Sequence, residues 1–127
     1  MSEVLLKSIS DGMEELKINY EFLEYTSPPE YPYFTGEYQE VPSGNEDGEQ
    51  ETTFILTGFA RGEGAKLALE EAKKKIKTYY PRVGGRLVSA DGSTLAIFYS
   101  DSFFIPTGDA ELKKIQINLT IKEWSVN

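Results

Sequence analysis

A chain of 127 residues with 39% hydrophobic content is long enough to bury one core without staples, and 21 acidic against 13 basic residues leave a net charge of −8. It contains no cysteine and no histidine, which excludes disulfides, thiolate nucleophiles and cysteine- or histidine-ligated metal, and removes the commonest general base near neutral pH. The acidic balance argues against a nucleic-acid reader, whose affinity rests on Lys and Arg neutralising phosphates.

The N-terminal stretch MSEVLLKSISDGMEELK lacks the basic start, apolar stretch and cleavage site of a signal peptide. No apolar run approaches the roughly 20 residues that span a bilayer, so a soluble cytoplasmic protein is expected. Residues 2–17 read as an amphipathic helix. Ser2 is placed to cap it, and Val4, Leu5, Ile9, Met13 and Leu16 fall near one face. Gly12 either weakens this helix or marks a close contact.

Residues 18–25, INYEFLEY, favour a strand, stopped by Ser27-Pro28-Pro29-Glu30. A second strand is expected over 31–41, YPYFTGEYQEV, and a third over 52–59, TTFILTGF. The aromatic-rich second strand shows no water-facing alternation, which predicts a strand covered on both faces. Tyr31, Tyr33, Phe34 and Tyr38 are accordingly the candidate subunit interface, since Tyr is favoured where two surfaces meet. Residues 60–64, ARGEG, break the pattern. A second helix is predicted over 65–80, with Ala65, Ala68, Leu69, Ala72, Ile76 and Tyr79 or Tyr80 in one stripe. Glu70 with Lys74 and Glu71 with Lys75 are spaced for i,i+4 pairing, and Pro81 ends the helix. GRLVSA and STLAIFYS then flank the turn dipeptide Asp91-Gly92. The last strand, 114–124, alternates Ile115, Ile117, Leu119 and Ile121 with Gln116, Asn118, Thr120 and Lys122. One of its faces therefore meets a core. Residues 1–127 thus form a single α+β domain, a mostly antiparallel sheet covered by two helices.

The stretch SGNEDGEQETTF (43–54) holds the densest acidic cluster. With Gly48 at position 6 of an EF-hand loop, Ser43, Asn45 and Asp47 occupy positions 1, 3 and 5. Position 12 is then Phe54, where a bidentate Glu is needed. The stretch reads as a solvated hairpin tip. The glycine-rich LTGFARGEGAKLALEE fails as a phosphate loop, because Lys66 does not follow Gly64 directly and no Ser or Thr comes after it. Lys73, Lys74, Lys75 and Lys77 read as a solvated helix face favoured by the helix dipole, and Asn118-Leu119-Thr120 as ordinary strand residues. No catalytic group, metal or cofactor is expected, and the chain reads as something other than an enzyme.

The order of elements, with YPYFTGEYQEVPS leading into an acidic loop, then TTFILTGFARG, an amphipathic helix and a closing IQINLTIKEW, resembles the tail terminator, or tail completion, proteins of long-tailed bacteriophages and prophages. The resemblance covers nearly the whole chain and rests on segment order. It implies a tail-terminator-like α/β sandwich that forms a ring, typically hexameric, on the head-proximal end of the tail tube. Its partners would be itself, the major tail tube protein and the head connector or neck protein. DNA would pass through without specific binding, and no membrane is involved. The location implied is the neck region of the virion tail, after assembly in the host cytoplasm. Under this reading the hairpin 42–51, with Glu46, Asp47, Glu49 and Glu51, faces the lumen or the tube. The alternatives are a head completion or neck ring of the same particle, and a small cytoplasmic ligand-binding domain.

Overall fold

Leu5, Ile9 and Met13 recur at one-turn spacing, and in the computed structural model they form the buried stripe of helix α1 (Glu3–Glu15). Residues 3–24, 30–41, 49–90 and 92–125 are described. The helix closes on a pair of reversed hydrogen bonds: the Lys17 amide donates to the Glu14 carbonyl and the Ile18 amide to the Met13 carbonyl, at 3.0 and 2.9 Å. That pattern requires a left-handed residue at Lys17, whose φ is 59°. An L side chain there costs about 1–2 kcal/mol. Lys17→Gly is therefore expected to raise the unfolding free energy by about 1 kcal/mol, read as a shift in the urea midpoint at constant slope. An unchanged midpoint would disprove the strained cap.

Strands β1 (Asn19–Phe22), β2 (Tyr33–Val41) and β3 (Glu49–Arg61) precede helix α2 (Ala65–Tyr79). Strands β4 (Arg86–Ala90), β5 (Ser93–Ile105) and β6 (Leu112–Ser125) follow it. All six share one sheet in the order β1-β2-β3-β6-β5-β4. Neighbours are antiparallel except β1 and β2, which run parallel, so the sheet is mixed. The period-2 pattern fixes which face is buried. Phe54, Leu56 and Ala60 of β3, Leu95, Ile97 and Tyr99 of β5, and Ile115, Ile117, Leu119 and Ile121 of β6 enter one core with both helices. Thr53, Ile55 and Thr57 with Gln116, Asn118 and Thr120 lie on the other face, which no helix covers among the described residues.

Strand β2 departs from its sequence reading. Phe34 and Gly36 point into the core while Tyr33 and Thr35 point to the open face. The alternation is hidden because a glycine occupies a core-facing position and aromatic rings occupy both faces. Gly36 and Gly58 make room for large neighbours: Phe34 lies over Gly58, its direct cross-strand partner, and Phe54 and Tyr20 lie over Gly36.

Several bounds also move. β3 begins at Glu49 and runs through Arg61 rather than stopping at 59. β5 continues past a register shift between Tyr99 and Asp101 into Phe103, Phe104 and Ile105, which the sequence reading left outside any strand. On α2, Glu70 pairs with Lys73 at 2.8 Å in place of the expected Lys74. Gly62 and Gly64 take φ of 90° and 79° in the turn before α2, a left-handed geometry suited to glycine. Among the described residues, no helix is long and apolar enough to cross a membrane.

Candidate functional site

The candidate interface residues separate. Phe34 is fully buried in the chain's own core, so a neighbouring subunit cannot reach it and it leaves the set. Tyr31 and Tyr38 are 40% and 41% exposed. Tyr38 stacks on Phe22 with ring centroids 6.0 Å apart. Tyr31 meets Tyr33 at 5.5 Å, Tyr33 stacks on Phe59 at 5.1 Å, and the Lys114 ammonium lies 5.5 Å from the Phe59 ring. Tyr31, Tyr33 and Phe59 form an aromatic corner at one end of the open face, whereas Tyr38 and Phe22 lie on the core-facing side, next to Phe54.

Next to this corner, Arg61 reaches across to Asp109 at 3.2 Å. The Glu111 amide donating to Asp109, helped by Arg61, holds that carboxyl below the usual carboxylate range. Both side chains are exposed, so the pair fixes the β5–β6 turn more than it stabilises the fold. Of the acidic hairpin, Glu46 and Asp47 lie outside the described residues. Glu49 starts β3. Glu51 is exposed on β3 in register with Lys122.

The lysine run of α2 divides between two sides of the helix, Lys74 and Lys75 on one and Lys77 on the other. Lys74 and Lys75 join Thr78, Tyr79 and Arg86 around an open cavity of about 630 Å³. Arg86 lies over the Tyr79 ring, its Cζ 3.8 Å from the centroid, and the Tyr79 hydroxyl donates to Glu15, tying α2 to α1. Burial, and then the Glu15 carboxylate, push the Tyr79 phenol up. On the opposite side of α2, Lys66 lies 5.6 Å from the Phe104 ring, and Lys77 and Arg82 lie 5.2 and 5.6 Å from Tyr99. Lys66 and Phe104 also line a second cavity, of about 460 Å³, with Pro106, Lys113 and Lys114.

Among the described residues, two buried hydroxyls, Tyr20 Oη and Tyr80 Oη, have no hydrogen-bond partner, and burial raises both phenols well above their ordinary value. Among the described residues, no three acidic side chains gather as a metal site would need.

Sequence reasoning missed the exposed apolar residues at the sheet's ends: Leu23 at 65%, Val83 at 87%, Leu87 at 68% and Phe103 at 49%. The alternation of Phe103 and Ile105 was the available signal for the last of these. No known family model matches the chain, and no characterised protein was found similar to it.

Proposed function

We propose that the chain is a structural subunit that assembles with copies of itself into a ring, and that the ring caps the head-proximal end of a bacteriophage tail tube. The one-sided sheet carries this reading. Two helices cover one face of six strands, while the other face and both sheet ends leave Tyr31, Leu23, Leu87 and Phe103 in water. Large apolar side chains set along the edges of a sheet are the usual donors of subunit contacts. A head-to-tail contact of two different surfaces closes into a ring when its rotation permits. The resemblance of segment order to tail terminators supplies the place in the particle, and the role is structural rather than catalytic.

Native mass spectrometry from micromolar concentration upward reads the assembly, and electron microscopy of tail tubes polymerised with and without the protein reads the capping. The expected result is a discrete closed ring and tubes of bounded length. A chain that stays monomeric and leaves tube length unchanged would overturn the proposal.

A further inference from the structure

Charge is unevenly divided along this chain. Residues 1–51 hold thirteen acidic and two basic side chains, whereas residues 52–127 hold eight acidic and eleven basic. The fold turns this sequence asymmetry into a spatial one. β1 and β2 occupy one end of the sheet, and β5 and β4 occupy the other. Beside β1, Glu14 and Glu21 line one hollow, Glu24 follows the strand, and the exposed Leu23 projects from a left-handed backbone with φ of 70°.

The opposite end of the sheet has an open stretch of backbone. β4 pairs with β5 only as far as Ile97, while β5 runs on to Ile105. Past that point the Tyr99 amide donates to the Tyr80 carbonyl and Arg82 donates to the Ser100 carbonyl. Among the described residues, no strand flanks 101–105 on the side away from β6. This edge is bordered by Lys66, Lys77 and Arg82 on its helix face and by the exposed Phe103 on its open face.

We propose that β5 residues 101–105 form a strand-addition site, and that its occupant is the acidic β1 flank of a second copy of this chain. The proposal rests on the ring reading and names its contact. An unpaired edge offers backbone groups to an incoming strand. The cations along the β5 edge fit Glu14, Glu21 and Glu24, and Phe103 fits Leu23. The two surfaces differ and sit at opposite ends of one sheet, so the contact is head-to-tail. Complementary charge also orients the approach and disfavours the reversed pairing.

A charge-swap experiment tests this. Lys66→Glu/Lys77→Glu inverts the β5 side, and Glu14→Lys/Glu24→Lys inverts the β1 side. All four residues are exposed, so both chains are expected to keep the wild-type circular dichroism. Each variant alone should need about a hundredfold more protein to assemble, or more. An equimolar mixture should recover assembly in even-numbered rings with the two chains alternating, because each altered side then meets its opposite. The amides within 101–105 that point away from β6 should gain hydrogen-exchange protection in the assembled wild type. If the wild type assembles and either variant assembles equally well, or those outward amides gain no protection in the ring, the edge contact is wrong and the ring reading stands. A wild type that never assembles overturns both.

Discussion

Gly58→Ala is expected to cost about 2–3 kcal/mol of stability, although it adds one methyl group and improves strand propensity. Gly58 sits opposite Phe34 in the β2–β3 ladder. A Cβ built on it would lie 2.4, 2.5 and 2.9 Å from three atoms of the Phe34 ring. Phe34 is fully buried, so the ring cannot swing into solvent, and its displacement has to be absorbed by the packed core. Gly108 provides the comparison. Its φ is 80° and a Cβ there would meet nothing within 4 Å. Gly108→Ala therefore carries only the backbone term, about 1–2 kcal/mol, whereas the Gly58 effect is one of contact. The distinction is measurable in a double-mutant cycle. Phe34→Leu is itself destabilising, but Gly58→Ala should cost much less in that background, while Gly108→Ala should cost the same in both. A Gly58→Ala protein that unfolds within about 0.5 kcal/mol of wild type would show that Phe34 does not lie over Gly58.

This pair also shows why the fold was legible from the sequence in some places and obscure in others. β6 could be read directly, because Ile115, Ile117, Leu119 and Ile121 alternate with polar residues and the core requires that spacing. The stripes of α1 and α2 were legible for the same reason, at a period of 3.6. β2 was not, because its core-facing positions include Gly36, whose place is filled by rings from other strands. A periodicity argument counts side chains along one strand and cannot see a ring contributed from across the ladder. The continuation of β5 was obscured by its register shift, which puts Tyr99 and Asp101 out of phase and breaks the alternation that would have extended the strand.

For the candidate site, Tyr31, Tyr33, Phe34 and Tyr38 read alike in the sequence, and composition does not separate the buried Phe34 from the exposed Tyr31 and Tyr38. Whether an aromatic on a strand faces core or water depends on register, and register is a property of the sheet. The exposed Leu23 and Phe103 acquire meaning only once the strand order places them at opposite ends. The lysine run, read as a solvated helix face, divides in the structure between the α1 side and the β5 side of the helix.

Removing the Tyr80 hydroxyl is expected to stabilise the protein by about 1 kcal/mol, the reverse of the usual effect of trimming a buried side chain. Tyr80 is fully buried and its hydroxyl has no partner among the described residues, so Tyr80→Phe removes an uncompensated desolvation cost and leaves the ring contact with Tyr79 in place. The same hydroxyl explains Gly12. Alanine is normally better than glycine inside a helix by about 1 kcal/mol, but a Cβ at Gly12 would lie 2.1 Å from Tyr80 Oη, 3.0 Å from Tyr79 and 3.2 Å from the Tyr80 ring. Gly12→Ala is therefore expected to cost about 2–3 kcal/mol in the wild type. The cost should fall by more than half in the Tyr80→Phe background, where the nearest atom is gone and the ring contacts remain.

The pH dependence has a definite sign. Burial raises the Tyr80 phenol in the folded state, while the unfolded phenol titrates near 10. The unfolded chain thus loses its proton first, and this part of the stability is fully present below pH ~10 and lost progressively above it. Tyr20 behaves alike. Urea midpoints followed from pH 8 to 11 should fall at the alkaline end and fall less for Tyr80→Phe. Equal alkaline slopes for the two proteins, or an additive Gly12 and Tyr80 pair, would mean that the hydroxyl finds a partner and that Gly12 is there for another reason.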